Sequence, residues 1–551
     1  MSDAETAVSL RARAEEWLAQ DPDPETRAEL QVLLDDPAAL AERFGAKLEF
    51  GTAGLRGELG AGPSRMNRVT VMRAAAGLAA VLTSRADSAA SVSAPSVVIG
   101  YDARHKSDVF AEDSAAVLAG AGLTVHLMPR PLPTPVLAYA VRHLGADAGV
   151  MVTASHNPPR DNGYKVYWGD GAQIIPPLDK EISQAIDAVG RVDELPRSSE
   201  WQVLDDGIVR DYLHSLARLP LGAARDITVA YTPLHGVGGV VLPRAFEWTG
   251  FPAPVLVAEQ AEPDPDFPTV SFPNPEEPGA MDLALALGKD RDLVIANDPD
   301  ADRCAVAAGG RMLTGDEVGG LLAEHVLRHT SGADRLVVTT IVSSSLLRKI
   351  AAAYGVRYAE TLTGFKWIMK AGTEQDRLVY GYEEALGYCV GGENGVPVRD
   401  KDGIGAALTV AALAAEAKTQ GHTVQELLDD QARRYGLHAT AQLSVRVEDL
   451  SIIAGAMARL RKSPPAALGG RTVTEMADLA DGVEGLPPAD VLRLRLSGGG
   501  RVVVRPSGTE PKLKCYLEVV VPVTGSADEA RTAAAAGLSA LRDDLAGALA
   551  L

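Results

Sequence analysis

The stretch AGVMVTASHNPP, residues 148–159, joins a run of small apolar residues to a short polar cluster. Its first seven residues carry no charge and are typical of a buried β-strand. Ser155 and His156 follow where that strand ends, and two prolines then restrict the backbone of the next turn. Because ligands in open α/β sheets bind beyond the carboxyl ends of strands, the stretch predicts a strand that leads into a functional loop.

The residues before this strand alternate between β-branched runs and helical segments. The strands are predicted at 96–104 and 123–128, and the helices at 107–120 and 134–144. Together with the strand at 148–154 they form a βαβαβ pattern, which indicates a mostly parallel sheet covered by helices. The first 45 residues or so, which precede this pattern, predict helices.

The α/β pattern restarts twice, and the end of the chain differs. A strand that runs into a Gly-rich turn and a helix is predicted at 226–239, and further strands of the α/β type are predicted at 255–260, 293–303, 336–344 and 378–388. Strands of a more antiparallel type, followed by a helix from about Ser526, are predicted at 443–447, 491–496, 501–504 and 514–521. The predicted fold class is therefore α/β, with three mixed, mostly parallel α/β domains and a smaller C-terminal α+β domain. The expected domain boundaries are 1–206, 207–310, 311–432 and 433–551.

Composition limits the functions that this chain can have. Its 551 residues are too many for one core, and 46% hydrophobic with 23% charged residues is an ordinary globular composition. A net charge of −20 argues against nucleic acid and against an anionic membrane surface as partners. The three cysteines fit neither a zinc site nor a disulfide framework, and the N-terminus has no apolar signal segment. We expect a cytoplasmic protein with buried, reduced thiols.

Three carboxylates follow the strand that begins at residue 293. Asp298, Asp300 and Asp302 stand at alternating positions, as at the start of an EF-hand loop. An EF-hand needs Gly at the sixth position and Glu at the twelfth, and these positions hold Arg303 and Gly309. Three adjacent carboxylates repel each other, and no other counter-ion for them is evident in the sequence. The loop therefore predicts a site for a hard divalent cation such as Mg²⁺, which can also bind a phosphate oxygen.

Two other strand-end loops fit the handling of phosphate. Arg505-Pro-Ser-Gly-Thr combines a guanidinium, two hydroxyls and an open backbone, which together can hold a phosphate group. Ser155 lacks the flanking glycines of the Gly-x-Ser-x-Gly hydrolase motif, and we expect that its neighbour His156 cannot easily turn back to act as its base. These loops favour a serine that carries a phosphoryl group, and they predict one site at a junction of four domains.

Three motifs, in this order and at these separations, are shared with a known family: TASHNP, DPDADR and RPSGTEP. The chain resembles the α-D-phosphohexomutases (phosphoglucomutase and phosphomannomutase), and the resemblance runs from Phe50 to Lys512. FGTAGLRG, at 50–57, and FPTVSFPNPEEP, at 267–278, resemble most the branch that includes phosphopentomutase and glucose 1,6-bisphosphate synthase. The resemblance implies four domains around a central cleft.

The resemblance also implies roles for individual residues. Ser155 would be the phosphoserine, and the Mg²⁺ ligands would be Ser155, Asp298, Asp300 and Asp302. The catalytic residues beside Ser155 would be His156, Lys165 and Arg56, with Lys165 as a candidate general acid/base. The substrate-binding residues would be Arg303, Glu383, Lys401, Arg505, Ser507, Gly508 and Thr509. The basic members of these sets would supply the positive field that an acidic chain needs for a bisphosphate.

The activity that the resemblance implies is transfer of a phosphoryl group between the 1- and 6-positions of a hexose phosphate, glucose or mannose. Mg²⁺ would be the cofactor, glucose 1,6-bisphosphate the priming activator, and small sugar phosphates the partners of a monomer or dimer. Phosphopentomutase and glucose 1,6-bisphosphate synthase remain alternatives, and a phosphatase with a serine intermediate is a remote one. Ala385 stands where the family's sugar loop often has serine, which leaves the identity of the sugar open.

Overall fold

The structure is a computed structural model that describes residues 3–49, 54–88, 93–447, 449–483, 485–507 and 512–549. It divides into two compact units. The first contains residues 1–221, 225–310 and 397–411, and the second contains residues 222–224, 311–396 and 412–551.

Among the described residues, the first unit contains ten complete α-helices, residues 403–411 of a further helix, and ten strands. The helices are α1 (Asp3–Gln20), α2 (Pro24–Leu33), α3 (Pro37–Phe44), α4 (Arg68–Ser88), α5 (Ser107–Gly120), α6 (Thr134–His143), α7 (Leu178–Asp187), α8 (Gly207–Leu216), α9 (Gly238–Trp248) and α10 (Asp282–Leu287). The strands are β1 (Leu55–Glu58), β2 (Ser96–Tyr101), β3 (Thr124–Leu127), β4 (Ala148–Val152), β5 (Asp161–Trp168), β6 (Gln202–Val203), β7 (Val229–Thr232), β8 (Val255–Leu256), β9 (Leu293–Ala296) and β10 (Ala305–Ala308).

The first sheet has the order β1-β5-β4-β2-β3-β6. Strands β4, β2, β3 and β6 are parallel, as the βαβαβ pattern predicts. Strand β5, which the sequence analysis did not identify, pairs antiparallel with β4 and places Lys165 opposite Met151. Six of its eight residues are buried, so it lacks the alternation that marks a half-exposed strand.

The second sheet contains β10, β9, β7 and β8 in that order. Strands β8, β7 and β9 are parallel, and β10 returns antiparallel beside β9. The predicted strand at 255–260 is shorter in the structure, because β8 spans two residues before a single 3₁₀ turn at Ala258–Gln260. The connection between β9 and β10 carries all three aspartates, so the strand pair holds both ends of that loop.

The second unit contains the remaining elements in the described part of the chain. Its helices are α11 (Gly315–Arg328), α12 (Leu346–Ala353), α13 (Phe365–Met369), α14 (Gly403–Thr419, of which residues 412–419 belong to this unit), α15 (Val424–Tyr435), α16 (Leu450–Lys462) and α17 (Ala527–Leu549). Its strands are β11 (Arg311–Met312), β12 (Arg335–Thr340), β13 (Arg357–Thr361), β14 (Arg377–Glu383), β15 (Gly387–Val390), β16 (Leu437–Arg446), β17 (Ala467–Leu468), β18 (Arg471–Asp478), β19 (Leu492–Leu496), β20 (Arg501–Pro506) and β21 (Lys512–Val521).

Two sheets organise this unit. The sheet β13-β12-β14-β15 is parallel except for β15, and the sheet β16-β21-β20-β19-β18-β17 is antiparallel throughout. Strand β18 and helix α16 were not predicted, and β16 begins six residues earlier than predicted, at Leu437. The mixed, mostly parallel sheets and the antiparallel last sheet confirm the predicted fold class. The domain boundaries stay predictions.

The cysteines have the environment that the sequence predicts. The three cysteines, Cys304, Cys389 and Cys515, are free and buried. Among the described helices, none combines the length and the apolar character needed to cross a lipid bilayer.

Candidate active site

Ser155 lies in the turn that follows β4, and its backbone is left-handed, with φ of 54°. A non-glycine residue rarely adopts this conformation, which costs about 1–3 kcal/mol. Its side chain is buried, and its N–H donates to Thr153 Oγ at 2.9 Å. The serine is therefore held in one strained conformation at the end of the strand.

Arg104 fixes the carbonyl groups of this turn, residues 153–161, which is called the serine loop below. Its guanidinium donates to the carbonyl oxygens of Ser155 and Asn157, both at 2.6 Å. It also donates to the carbonyl oxygens of Pro158 at 2.7 Å and Asp161 at 3.1 Å. Because Arg104 is itself only 4% exposed, one buried side chain holds four peptide groups around the serine in place.

The aspartate loop brings three carboxylates to one point. Asp298, Asp300 and Asp302 are fully buried, and one oxygen from each lies within 4.8 Å of the others. Oδ1 of Asp300 and Oδ1 of Asp302 are buried without a hydrogen-bond partner among the described residues. Buried acceptors that no donor satisfies are costly, and a hard divalent cation would satisfy them. The residues present therefore fit a divalent metal ion.

The carboxylates also have counter-ions, which were not evident from the local sequence. Lys165 Nζ lies 2.8 Å from Asp300 Oδ2 and 3.1 Å from Asp302 Oδ2, and Lys401 Nζ lies 2.9 Å from Asp302 Oδ2. Lys165 arrives on β5 and Lys401 from a segment about 100 residues after the loop. The separations along the chain hide this pairing from any local inspection of the sequence.

The surroundings shift the pKa values of the aspartates in opposite directions. Burial and the charges of Asp300 and Asp302 raise the pKa of Asp298. Burial alone would also raise the pKa of Asp300, but Lys165 and the hydroxyl of Thr134 lower it below its ordinary value. The loop therefore contains one carboxylate that is disposed to share a proton and another that is strongly held in the charged form.

The serine hydroxyl meets this loop directly. Ser155 Oγ donates to Asp298 Oδ2 at 2.7 Å, and Arg303 Nη1 donates to the same Oγ at 3.1 Å. Arg303 Nη1 lies 3.4 Å from Asp298 Oδ2 as well. The oxygen of Ser155 thus has a carboxylate that can accept its proton on one side and a fixed positive charge on the other.

The prediction that His156 cannot easily turn back to Ser155 was wrong. Its Nδ1 lies 3.2 Å from Ser155 Oγ, because the left-handed backbone of Ser155 turns the next side chain back. Nδ1 also accepts a hydrogen bond from Arg303. Burial and the charges of Arg303 and Arg56 lower the pKa of His156 well below its ordinary value. Because Arg303 occupies Nδ1 and the lowered pKa makes the imidazole a weaker base, His156 is poorly suited to activate Ser155 as the histidine of a serine hydrolase does.

Arg56 contacts the serine loop from β1. Its Nη1 donates to Asn157 Oδ1 at 3.0 Å. Burial and the charge of Arg303 lower the pKa of Arg56. The first unit therefore brings together every predicted site residue that it contains, which are Arg56, Ser155, His156, Lys165, Asp298, Asp300, Asp302, Arg303 and Lys401.

The second unit contains the remaining predicted residues. Glu383 ends β14, and its Oε1 accepts from the N–H of Gly364 at 2.7 Å. Arg505 lies on β20, and the N–H of Ser507 donates to the carbonyl of Lys512 at 2.8 Å. Gly508 and Thr509 lie outside the described residues. The predicted junction of four loops in one site stays a prediction.

Glu384, beside the predicted sugar-binding residue Glu383, was not predicted as a site residue. Its Oε2 accepts from Ser343 Oγ at 3.0 Å. Burial and the charges of Glu383 and Asp316 raise the pKa of Glu384 to about 8. The pair of adjacent glutamates in the sequence is the only local signal for this second carboxyl group.

Three residues that support the site of the first unit were also missed. Arg104 holds the serine loop, and Asp102 accepts from Thr153 Oγ at 2.6 Å. Thr134, the first residue of α6, donates to Asp300 Oδ2 at 2.7 Å. Asp102 and Arg104 form an Asp-x-Arg sequence directly after β2, and this polar strand end could have indicated both residues. Nothing in the sequence near Thr134 indicates that it contacts Asp300.

Four family profiles match the chain in order. They are phosphoglucomutase/phosphomannomutase α/β/α domain I at residues 47–192, domain II at 210–310, domain III at 314–435 and the C-terminal domain at 445–531. These matches cover most of the chain.

Relatives of nearly full length support the same family. The chain is 46% identical to a "Probable phosphomannomutase" of Haemophilus influenzae, over 82% of this chain and 93% of that protein. It is 36% identical to a "Probable phosphoribomutase" of Schizosaccharomyces pombe, over 92% and 93%. A crystal structure from Thermus thermophilus, provisionally named a phosphomannomutase, is 27% identical with a TM-score of 0.68 and covers 91% of this chain and 98% of its own. The chain therefore belongs to the phosphoglucomutase/phosphomannomutase family and is a phosphomutase, an isomerase.

Proposed function

We propose that this phosphomutase carries a phosphoryl group on Ser155 and moves it between the 1- and 6-positions of a hexose phosphate, glucose or mannose. One observation carries the proposal. Ser155 Oγ lies 2.7 Å from Asp298 Oδ2 and 3.1 Å from Arg303 Nη1, beside two buried acceptor oxygens that suit a divalent cation. A serine that is only a structural residue would not need this concentration of charge.

The transfer takes two balanced steps. In the first, a hydroxyl oxygen of the sugar monophosphate bonds to the phosphorus on Ser155 while the phosphorus–Oγ bond breaks; the hydroxyl gives its proton to a base, and the released Oγ takes up a proton. In the second, after the bisphosphate has turned, Oγ gives up its proton and bonds to the other phosphorus while the bond between that phosphorus and its sugar oxygen breaks, and that sugar oxygen takes up a proton. Arg303 and Arg56 are placed to balance the charge on the phosphoryl oxygens, and Lys165 is the candidate that exchanges the proton.

Mg²⁺ held by Asp298, Asp300, Asp302 and Ser155 would supply Lewis-acid neutralisation of the phosphoryl charge. Lys165 and Lys401 keep Asp300 and Asp302 ionised and fixed in position. The burial of Ser155 restricts water, which would otherwise hydrolyse the phosphoserine. Glucose 1,6-bisphosphate would prime the serine as activator.

The remaining contacts to substrate belong to the second unit in this proposal. Glu383 would accept hydrogen bonds from two neighbouring sugar hydroxyls, since an ionised carboxylate is an acceptor at both oxygens. Arg505, Ser507, Gly508 and Thr509 would hold the phosphate that is not transferred. The family resemblance supports these roles, because RPSGTEP is the segment that the family uses there.

A pentose phosphate is the second candidate substrate. The relative in Schizosaccharomyces pombe is named for a phosphoribomutase, and its similarity covers 92% of the chain. Ala385 also removes a hydroxyl from the sugar loop. The relative in Haemophilus influenzae is named for a phosphomannomutase and has the higher identity, 46%, which favours the hexose.

A labelling experiment tests the covalent step. Protein mixed with ³²P-labelled glucose 1,6-bisphosphate should retain label on the wild-type chain and none on Ser155→Ala, which should also lose turnover. Ser88→Ala, on the exposed end of α4, is the matched control and should be labelled like wild type. Full mutase activity in Ser155→Ala would refute the carrier role, and release of inorganic phosphate at the turnover rate would favour a phosphatase.

A separate measurement identifies the preferred sugar phosphate. The values of kcat/KM for the 1-phosphates of glucose, mannose, ribose and deoxyribose should be highest for a hexose. A higher value for ribose 1-phosphate or deoxyribose 1-phosphate would assign the chain as a phosphopentomutase. Net accumulation of sugar bisphosphate would instead indicate the synthase activity.

A further inference from the structure

Two helices of the second unit bring three metal-ligating side chains together, in a cluster that the transfer of phosphate does not use. His325 and His329 lie one turn apart on α11, and Glu416 lies near the end of α14. One nitrogen of each histidine and one oxygen of the glutamate lie within 4.8 Å of one another. Residues four apart on a helix share one face, so both imidazoles point toward the same neighbouring helix.

The tautomer of His329 is set by its own helix. His329 Nδ1 lies 2.8 Å from the carbonyl oxygen of His325, which can only accept, so Nδ1 carries the proton. In the neutral ring, Nε2 then carries a lone pair. Nε2 lies 3.5 Å from Glu416 Oε2, so in the neutral ring a nitrogen lone pair faces a carboxylate oxygen.

Two of the three ligand separations, those from each histidine to Glu416, are those expected around a small cation. His325 Nδ1 lies 3.6 Å from Glu416 Oε2, close to the 3.5 Å of the His329 contact. Both distances exceed an ordinary hydrogen bond. Ligands about 2.0–2.2 Å from a tetrahedral ion are separated by about 3.3–3.6 Å. The distances therefore match the edges of a tetrahedral coordination shell.

Glu416 is oriented for this role. Its Oε1 lies 3.3 Å from Arg328 Nη1, whereas its Oε2 is buried and has no hydrogen-bond partner among the described residues. A buried carboxylate oxygen that no donor satisfies is costly, and a cation would satisfy it. The glutamate thus offers one oxygen to an arginine and the other to the histidine pair.

We propose that His325, His329 and Glu416 bind a divalent transition-metal ion of the Zn²⁺ type. Two imidazoles and one carboxylate suit Zn²⁺, whereas Mg²⁺ prefers oxygen ligands only. His325 is fully buried, but the side chains of His329 and Glu416 are 27% and 25% exposed, which leaves an open side for entry and for a water ligand. The ion would join α11 to α14, and the site differs in chemistry from the aspartate loop.

Calorimetry on the full chain tests the site. Protein stripped with EDTA and dialysed is titrated with Zn²⁺ in a large excess of Mg²⁺, which competes with Zn²⁺ for the aspartate loop. We expect one Zn²⁺ per chain, and we expect Co²⁺ as the probe to give the visible absorption of a tetrahedral site. The melting temperature should rise with Zn²⁺.

Variants at the two partly exposed ligands locate the ion without disturbing the buried one. His329→Gln and Glu416→Gln should each weaken Zn²⁺ binding more than about tenfold, since even outer-shell partners change metal affinity by roughly 10–100-fold. His422→Gln is the matched control, because His422, just before α15, forms another His–Glu pair with Glu426, 3.9 Å apart, and among the described residues no third ligand joins that pair. It should bind Zn²⁺ like wild type.

Each outcome of these experiments supports or refutes the proposed Zn²⁺ site. Loss of the Zn²⁺ stoichiometry, the Co²⁺ spectrum and the thermal shift in both ligand variants, with unchanged circular dichroism, supports it. Equal Zn²⁺ affinity in wild type and both variants overturns it, as does the absence of any Zn²⁺ binding to wild type. In that case the cluster is only an ion-pair network between helices.

Discussion

Replacing Arg104 with methionine should lower turnover without removing any group that reacts. Arg104 donates four hydrogen bonds to carbonyl groups of the serine loop, at 2.6–3.1 Å. Methionine fills a similar volume but donates none of them. We expect the loop to leave the conformation in which Ser155 Oγ meets Asp298 Oδ2.

The magnitude follows from the strained backbone of Ser155. A non-glycine residue at φ of 54° costs about 1–3 kcal/mol. Hydrogen bonds from a charged donor contribute about 1.5–3 kcal/mol each, so the four from Arg104 are sufficient to offset that strain. If their loss leaves the competent conformation disfavoured by the strain alone, its population falls roughly 5- to 150-fold.

Steady-state kinetics measure this effect. The fall should appear in kcat, with KM changed little, because only the fraction of molecules with Ser155 in place can react. Arg104→Lys keeps the charge but cannot donate to four carbonyl groups at once, so its kcat should lie between those of Arg104→Met and the wild type. Arg160→Met is the matched control, since Arg160 lies in the same loop with its side chain 74% exposed.

Two outcomes would refute the reasoning. The first is a kcat of Arg104→Met within twofold of wild type while the variant stays folded. The second is an equal loss in Arg160→Met, which would mean that general disturbance of the loop, and not the clamp of Arg104, determines the rate.

Removal of metal with EDTA should abolish activity and Mg²⁺ should restore it, because two aspartate oxygens of the loop are buried without donors; full activity after chelation and dialysis would contradict this. Glu518→Gln should destabilise the protein by about 3 kcal/mol at pH 7, because the pKa of Glu518, which burial alone would raise, is lowered to about 2 by Arg501 and His438, against about 4.3 in the unfolded chain. That stabilisation is present above pH 4.3 and is lost as the pH falls toward 2, so urea unfolding of wild type and variant should converge at low pH; a constant difference would refute it. Ala385→Ser should change the ratio of kcat/KM between glucose 1-phosphate and ribose 1-phosphate by a few-fold to about tenfold, the equivalent of one hydrogen bond of roughly 0.5–1.5 kcal/mol. A ratio that stays within twofold would show that position 385 does not select the sugar.

Several features of the fold could be predicted from local sequence. The βαβαβ pattern before Ser155 is confirmed strand by strand, since helices and strands of this kind differ in period and length. The antiparallel character of the last sheet is also confirmed. Strand β5 was missed because it is buried on both faces, and its sequence therefore lacks the alternation that marks a half-exposed strand.

The sequence by itself determined which chemistry the chain carries. Asp298, Asp300 and Asp302 stand together within five residues, and Ser155 follows a strand, so their types and spacing are visible without a fold. The composition of a contiguous motif is visible without a fold, because its residues are neighbours in any conformation of that loop.

Only the tertiary structure decided which partners those groups meet. Lys165 and Lys401 reach the aspartates from positions 137 and 99 residues away from Asp302, through the pairing of β5 and the packing of a distant loop. Arg104 reaches the serine turn from 51 residues away in the same manner. Coulomb attraction and hydrogen bonding act within a few ångströms, so the partner of a buried charge is chosen by packing and not by position along the chain.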